Sequence, residues 1–233
     1  MRLCHRLSWY VGIEETGDFE FGVVATLDGL QEFLAGATLA LIDIPIGLQS
    51  RHADERVCDR DARAVLGPRR SSVFPAPSRC ALEGKTYAEA CAKNRECTGR
   101  GLSRQTFHIL PRIREVDAFL RRATLPVKLR EMHPEVCFRA LNHGKPMRWN
   151  KRTRAGFEER LAVLQRHHSQ SGKLVDVAQA EYRRAELGRD DIVDALVGAI
   201  TASHATDLST FPPVPETDET GLPMEIVYWS PGQ

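Results

Sequence analysis

The chain contains 233 residues, of which 42% are apolar and 27% charged, and its formal net charge at pH 7 is +1. This length and composition suit one folded domain, residues 1–233, and exclude a strongly basic or strongly acidic protein. No apolar run approaches the ~20 residues that span a bilayer, and the first ten residues lack the apolar core of a signal peptide. We therefore expect a cytoplasmic protein with no membrane segment.

Hydrophobic patterning predicts an α/β order in the first fifty residues. The segment SWYVGIEETGDFEFGVVAT (8–26) alternates on both sides of a turn at residues 16–18 and predicts an antiparallel hairpin. A short helix is predicted within LDGLQEFLAG (27–36). The nearly continuous apolar run LALIDIPIGL (39–48) is typical of a strand that is covered on both faces in a parallel sheet.

Residues 51–126 form a predicted insertion that is basic and mainly helical. Helical spacing covers 54–66, 87–96 and 101–123, and we expect the last helix to bend or restart at Pro111. Residues 67–79 contain three prolines and are predicted to be a loop.

After the insertion, the strand pattern resumes at VKLREMHPEVCF (127–138). An amphipathic helix follows at 157–168, and a helix that is apolar on nearly every face is predicted at 189–205. Residues 207–223 are predicted to be a proline-rich connection to a last strand, MEIVYW (224–229).

Charge is unevenly distributed along the chain. Residues 51–160 hold 25 Lys and Arg against 13 Asp and Glu, whereas residues 1–50 and 161–233 are both acidic. A basic middle between acidic ends indicates a polyanionic partner that binds near an acidic centre. An arginine-rich surface that contacts only solvent would show the same asymmetry, so charge alone leaves both interpretations open.

Six cysteines occur, at positions 4, 58, 80, 91, 97 and 137, and no C-x-x-C pair is present. Nothing in the sequence indicates an oxidising compartment, and disulfides are uncommon elsewhere. We therefore expect free thiols, not disulfides or a structural zinc site.

Acidic residues lie near the predicted ends of two buried strands. Asp43 is the only charge in its strand and lies near the carboxyl end, where open α/β sheets bind ligands. An aspartate there would also suit a loop whose amide groups need an acceptor. Glu131 also lies late in a predicted strand, followed by His133, Pro134 and Glu135, and would face the same sheet edge as Asp43 if the strands are parallel. Glu131 would serve equally well in an ion pair with an arginine.

The helix RDDIVDALVGAIT (189–201) contains three aspartates in an apolar setting. Asp190 is explained as an N-cap, and Asp191 gains from the helix dipole in the first turn. Neither explanation reaches Asp194, which lies one turn further in. Asp191 and Asp194 share a helical face, so a divalent cation such as Mg²⁺ or Mn²⁺ could hold both carboxylates.

Several motifs in chain order resemble one known family. The pattern D-x-x-D-A-L-x-x-A-I-T at residues 191–201 resembles the last helix of RuvC-type Holliday-junction resolvases, in the ribonuclease H-like superfamily. The full set resembles the DUF429 family of predicted nucleases from about residue 9 onward. Its motifs are LIDIPIGL (41–48), CDRDARAVLGPRRSSVFPAP (58–77), GLSRQTFHILPRIREVD (101–117), EMHPEVCF (131–138), DDIVDAL (190–196) and D-x-x-G-L-P-M-E-I (218–226).

The resemblance implies an α/β, ribonuclease H-like fold: a mixed five-stranded sheet flanked by helices, with the helical insertion after the fourth strand. It also implies a nuclease that hydrolyses phosphodiester bonds of DNA or structured nucleic acid with two Mg²⁺ or Mn²⁺ ions. The implied catalytic residues are Asp43, Glu131, Asp191 and Asp194, with Glu135 as a further candidate metal ligand.

One expected residue of that pattern has no counterpart in the sequence. Proteins of this fold carry another aspartate on the first strand, and its place here falls at or before Arg2. Cleavage would then need residues upstream of Met1. The alternative is a non-catalytic protein that binds nucleic acid or nucleotides. An ATP-dependent phosphotransferase is a third class, but the sequence has no G-x-x-x-x-G-K-[ST] motif.

The basic insertion and the segment after it supply candidate contacts to nucleic acid. The RRSS segment (69–72) combines guanidinium and hydroxyl groups that form charge-assisted hydrogen bonds with phosphate. A solvated loop that anchors a helix end would have the same composition. The candidates are Arg69, Arg70, Ser71, Ser72, Gln105, Arg112 and Lys151.

Overall fold

The computed structural model describes residues 8–50, 54–122, 127–183 and 187–232. Helices and short strands alternate over these ranges, which confirms the α/β class. The strands are β1 (Ser8–Ile13), β2 (Phe19–Val24), β3 (Leu39–Ile42), β4 (Lys128–Glu131), β5 (Leu208–Thr217) and β6 (Pro223–Trp229). The α-helices are α1 (Gln31–Leu34), α2 (Val57–Leu66), α3 (Tyr87–Thr98), α4 (Arg104–Arg122), α5 (Pro134–Leu141), α6 (Arg154–His167), α7 (Ser171–Glu181) and α8 (Arg189–Ala202).

The predicted hairpin at 8–26 is confirmed. Strands β1 and β2 pair antiparallel in continuous register from Ser8 opposite Val24 to Ile13 opposite Phe19. Gly17 closes the turn with a φ of 84°, a conformation that glycine adopts without steric cost. Its amide donates to the carbonyl of Glu14 at 2.9 Å.

Strands β3 and β4 pair in parallel, and both are shorter than predicted. Leu39 lies opposite Lys128, and Ile42 lies opposite Glu131. Asp43 follows β3 immediately, so the 39–48 segment leaves the strand before Pro45. The prediction of a strand over 127–138 was wrong in its second half, because Pro134 begins α5; proline fits the first turn of a helix, where its missing N–H is not needed.

The hydrogen-bonded sheet is divided among the described residues. The strands form three pairs, β1–β2, β3–β4 and β5–β6, and a single parallel bridge joins Met132 to Val227. Residues 9–15 of the hairpin region and residues 38–44 around β3 line one cavity between the first two pairs. The described strands therefore do not form the continuous five-stranded ladder that the resemblance implies.

The described part of the insertion, 54–122, contains helices α2 to α4 and no strand. Helix α4 runs as one element through Pro111. Residues 67–72 form a 3-10 turn where a loop was predicted. Residues 51–53 and 123–126, at the predicted ends of the insertion, lie outside the described residues.

The proline-rich segment after α8 is a strand, so its prediction as a connection was wrong. Strand β5 pairs antiparallel with β6, and the register shifts between Phe211 and Glu216. Prolines 212, 213 and 215 fall in this interruption, on a strand that has one hydrogen-bonded neighbour. Proline is tolerated in such edge positions because its missing N–H breaks no inner ladder.

Helix α8 lies at the centre of the main apolar core, as its apolar faces predict. It packs against β1, β3, α5, α6 and α7. Burial on nearly all sides leaves only a short polar stretch at its first turns, where the aspartates lie. Its buried apolar residues include Ile192, Val193, Leu196, Val197 and Ile200, packed with Phe138, Leu164 and Leu174.

A disulfide joins Cys80 to Cys97, so the prediction of free thiols was wrong for this pair. The bond links the 3-10 turn Arg79–Glu83 to α3, with the two Cα atoms 6.8 Å apart. Spacing in the sequence could not show that these segments pack together. Cys58, Cys91 and Cys137 are free, and Cys4 lies outside the described residues.

No helix among the described residues is both long enough and apolar enough to cross a bilayer.

Candidate acidic site

A cavity of about 1260 Å³ opens between the hairpin, β3 and α8. Asp43 from the end of β3 and Asp191 and Asp194 from α8 all line it. Arg112 and Glu115 of α4 line the same cavity. The fold therefore brings together three of the acidic residues and one of the basic residues that the sequence predicts for the site.

Asp43 is exposed to water within the cavity. Burial among the surrounding protein atoms raises its pKa well above the usual value, and the nearby Asp194 carboxylate adds to the rise. Lys151 opposes this effect with its positive charge. Asp43 is thus open to the cavity on one side, and the neighbouring negative charge of Asp194 disfavours its ionised form.

Asp194 is the buried member of the group, with a side chain that is 11% exposed. Its Oδ2 accepts a hydrogen bond from Lys151 Nζ at 2.5 Å. Its Oδ1 is buried and has no hydrogen-bond partner. Burial raises the pKa of Asp194 to about 6, while Lys151 opposes the rise. An unsatisfied carboxylate oxygen inside a protein is costly, and this one lies beside a cavity that can admit a ligand.

Asp191 has a local structural role as well as a place in the cavity. Helix α8 begins at Arg189 with Gly188 as its N-cap, so the prediction that Asp190 is the N-cap was wrong. The Asp191 carboxylate accepts the Gly188 N–H at 3.0 Å and thereby satisfies one donor at the helix start. Burial and the neighbouring Asp190 raise the pKa of Asp191.

Glu131 lies in a buried ion pair, the alternative that the sequence left open. Arg56 Nη1 and Nη2 each donate to Glu131 at 2.8 Å, and the Ile46 amide donates to it at 2.7 Å. Arg56 also donates to Asp59 and to the Ile46 carbonyl. Burial raises the pKa of Glu131, and the guanidinium opposes that rise. Glu131 therefore fixes the backbone that follows Asp43.

A glycine and a second carboxylate hold the same backbone from the other side. Gly47 adopts a φ of 71°, and a Cβ there would lie 2.7 Å from the Pro223 carbonyl oxygen. The Leu48 amide donates to Asp218 at 2.9 Å. The turn after β3 thus has little freedom, and Asp43 is held at its start.

Glu135 pairs with a second buried arginine. Arg160 is fully buried and donates to Glu135 Oε1 and to the Gly156 carbonyl, the latter at 3.0 Å. The other oxygen of Glu135, Oε2, is buried without a hydrogen-bond partner. Neither Glu131 nor Glu135 lines the cavity that contains the three aspartates.

The basic candidates are separated by the fold. Arg69 donates to the Met147 carbonyl at 2.9 Å and to the Arg148 carbonyl at 2.5 Å, so it anchors the segment before Lys151. Ser72 donates to the Arg69 carbonyl at 2.8 Å. These contacts match the predicted alternative of a loop that anchors neighbouring structure.

The remaining candidates differ in their access to the cavity. Arg112 forms an ion pair with Glu115 at 2.6 Å, and its buried Nη2 has no hydrogen-bond partner. Arg70 and Ser71 are exposed on the 3-10 turn, and Gln105 is exposed on the first turn of α4. Of the seven candidates, Arg112 lines the cavity and Lys151 contacts one of its carboxylates.

Two residues that shape this region were not predicted. Arg56 is 3% exposed and joins Glu131 to Asp59. Its spacing from Asp59 at i, i+3 was the available signal, but a buried partner 75 residues away leaves no trace in a local pattern. Trp149 is the second, and its position beside Lys151 in a basic segment was the available signal.

The site suits oxygen-binding cations better than softer metals, because its donors are carboxylates. No group of three or more His, Cys, Asp or Glu among the described residues is arranged to hold a metal ion. Magnesium, however, commonly keeps several waters and uses one or two carboxylates together with substrate phosphates. Asp194, whose Oδ1 has no partner, is the carboxylate of this kind in the site.

The described fold and cavity define a mixed α/β protein with an aspartate-lined cleft. The chain belongs to the family described as Protein of unknown function (DUF429), whose model matches residues 5–217. No curated protein and no solved structure gave a significant match.

Proposed function

We propose that this protein is a divalent-metal-dependent nuclease that hydrolyses phosphodiester bonds of DNA or structured nucleic acid. The observation that carries the proposal is Asp194, a buried carboxylate with an unpartnered oxygen beside a cavity that Asp43 and Asp191 also line. The negative charges of Asp194 and Asp191 raise the pKa of Asp43, and a cation bound among the three carboxylates would relieve that repulsion. We assign Mg²⁺ or Mn²⁺ to this position.

We also propose a ribonuclease H-like, RuvC-like arrangement for the fold. Its support is the order of elements: an antiparallel hairpin, a short helix, a parallel pair of strands and a late helix that carries three aspartates. In that arrangement, the β1–β2 and β3–β4 pairs would belong to one sheet, with the cavity lying between them.

The residues divide into ligands and positioning groups. Asp43 and Asp194 would hold the cation, and Asp191 would complete its shell directly or through water. A bound cation would activate a water molecule and stabilise the charge on the leaving oxygen. Glu131 and Glu135 remain candidates for a second cation, but their ion pairs favour a role in positioning the turn after β3 and the first turn of α5.

Two basic residues are suitably placed for the phosphate group. The unpartnered Nη2 of Arg112 lies in the wall of the cavity and offers a donor to a phosphate oxygen. Lys151 would move from Asp194 to a phosphate when a cation arrives, because the two positive groups would repel each other.

The second candidate function is binding of nucleic acid or nucleotides without cleavage. The Lys151–Asp194 ion pair favours it, since an ammonium group already neutralises the buried carboxylate. A protein of that kind would retain the basic contacts and would need no cation.

Cleavage assays with Mg²⁺ or Mn²⁺ on single-stranded, duplex and branched DNA and RNA test the proposal. Asp194→Asn should abolish metal-dependent cleavage and leave the circular dichroism spectrum unchanged. Asp190→Asn is the matched control, because Asp190 lies on the same helix outside the cavity lining, and it should retain cleavage. Equal cleavage by Asp194→Asn and the native protein would reject the proposed site.

A further inference from the structure

Trp149 is one of the few large apolar side chains that the described residues leave exposed, at 47% of its surface. Arg148 lies over the indole ring, with its guanidinium carbon 4.7 Å from the ring centroid. An aromatic ring in water contributes no folding energy from its exposed surface, and single exposed apolar residues are ordinary on protein surfaces. Trp149 differs from such isolated residues because basic side chains surround it in the sequence.

The segment around Trp149 is strongly basic. No Asp or Glu occurs between Glu135 and Glu158, whereas six Lys and Arg residues fall in that interval. Arg148 and Arg152 are exposed on the same segment as Trp149. The nearest carboxylate is that of Glu159, which is occupied by the Arg148 and Trp149 amides. An exposed indole among cations has the composition of a surface that binds single-stranded nucleic acid, where bases stack on aromatic rings and cations follow the backbone.

The backbone that carries Trp149 is firmly held. The amides of Arg148 and Trp149 donate to Glu159 at 2.8 and 3.0 Å, and Arg160 donates to the Trp149 carbonyl at 3.1 Å. Arg69 holds the preceding carbonyls. The loss of conformational entropy on binding is smaller when an aromatic platform is held in place before the ligand arrives.

The same segment reaches the acidic site two residues later. Lys151 Nζ contacts Asp194, and the Cα atoms of residues 149 and 151 can be no more than about 7 Å apart along the chain. A nucleotide whose base stacks on Trp149 would therefore have its neighbouring phosphates near the backbone that carries Lys151.

We infer that Trp149 is a base-stacking platform that binds an unpaired nucleobase beside the acidic site, and that the preferred ligand is single-stranded nucleic acid. The inference rests on the proposed function, which it deepens by naming the substrate class. Arg148 lies over one face of the indole, where its charge adds a cation–π contribution, and the base would stack on the opposite face.

The test is fluorescence anisotropy with labelled oligothymidylate, oligoadenylate and a blunt hairpin duplex, in EDTA so that no cleavage occurs. Trp149→Leu should weaken single-strand binding by about 5- to 150-fold, the range for one lost base–aromatic stack. Trp149→Phe should stay within a few-fold of the native protein, because it keeps an aromatic face. Duplex binding should change little in either variant.

The Phe and Leu variants form a matched pair that separates aromaticity from apolar bulk. Val177→Ala, at another exposed apolar residue, should bind as the native protein does. Circular dichroism verifies that each variant is folded, and if Trp149→Leu fails to fold, quenching of Trp149 emission by oligothymidylate replaces it. Trp149→Phe should lose that quenching, whereas Trp9 and Trp229, which pack against the core, remain in both proteins.

Several outcomes would overturn the inference. Unchanged single-strand binding by Trp149→Leu, equal loss in the Phe and Leu variants, or equal loss on the duplex would each exclude base stacking. A change of oligomeric state in Trp149→Leu without a change in oligonucleotide affinity would show a protein-contact surface instead. Because binding is measured without metal, Trp149-dependent binding with no cleavage would reject only the proposed hydrolysis, and cleavage with Trp149-independent binding would reject only this inference.

Discussion

Lys151 Nζ lies 2.5 Å from Asp194 Oδ2 and joins the segment before α6 to the buried helix α8. The lysine side chain is 35% exposed, whereas the aspartate side chain is 11% exposed. The pair leaves Asp194 Oδ1 buried without a partner. One ammonium group therefore neutralises the carboxylate without satisfying both of its oxygens.

Replacing Lys151 with an uncharged residue should increase the affinity of the site for divalent cations. Lys151→Met should tighten Mn²⁺ binding at least about fivefold, because the repulsion between two close cations costs roughly 1 kcal/mol even at the dielectric constant of water. Isothermal titration calorimetry of native protein and variant provides the measurement. Lys173→Met, at an exposed position on α7, is the control and should leave the affinity unchanged. Weaker Mn²⁺ binding in Lys151→Met would argue that the lysine does not compete with a cation.

The raised pKa of Asp194 predicts a dependence of stability on pH. Between the ordinary value of 3.8 and the folded value of about 6, the folded protein holds a proton here that the unfolded chain releases. The free energy of unfolding should therefore rise as the pH falls through about 6, by as much as about 3 kcal/mol from this one group. The contribution is lost again as the pH rises through the folded pKa.

Urea denaturation of native protein and Asp194→Asn at several pH values isolates this effect. As the pH falls, the free energy of unfolding of the native protein should rise relative to that of Asp194→Asn. Asp176→Asn, at an exposed aspartate of α7, should show no such shift. A difference that is constant with pH would mean that Lys151 holds the pKa of Asp194 near its ordinary value.

The buried Arg56 should be indispensable for stability. Arg56→Met leaves the Glu131 and Asp59 carboxylates buried without their partner and should lower the free energy of unfolding by about 3–5 kcal/mol. The double variant Arg56→Met/Glu131→Gln should recover part of the lost stability, because it removes one of the two buried carboxylates that no longer have a cationic partner. Chemical denaturation gives both values. A double variant no more stable than the single one would show that Glu131 is not the main unpaired charge.

The disulfide should stabilise the insertion by restricting the unfolded chain. Cys80 and Cys97 are 17 residues apart, and closing a loop of that size contributes roughly 3 kcal/mol in the chain-entropy model. Cys80→Ser/Cys97→Ser should lower the free energy of unfolding by an amount of that order under non-reducing conditions. Cys91→Ser, at a free thiol of the same helix, is the control. Identical stability of all three proteins would contradict a bond at this position.

Local pattern was sufficient for the elements that are regular over many residues. The β1–β2 hairpin follows from alternation around Gly17, and α8 follows from apolar residues on nearly every face. Short-range geometry likewise gives the shared helical face of Asp191 and Asp194 and the position of Asp43 at the end of β3. The approach of all three to one cavity was implied only by the family resemblance.

Contacts between residues far apart in the chain could not be predicted from the sequence. The sequence around Glu131 would be the same for a metal ligand and for the partner of an arginine. The structure shows that Arg56 donates to both of its carboxylate oxygens. The prolines of β5 hid this strand in the sequence, because proline normally interrupts a strand. Only its pairing with β6 shows that the hydrogen bonds continue on both sides of the interruption.

The sequence by itself determined the α/β class, the hairpin, the buried late helix and the unusual position of Asp194, since these depend on periodicity within a few turns or strands. The tertiary structure alone decided which carboxylates are neutralised by arginines, which one keeps an unpartnered oxygen, and where Trp149 lies relative to the acidic site. Those outcomes depend on contacts between residues far apart in the chain, whose desolvation and pairing are fixed only when the core closes.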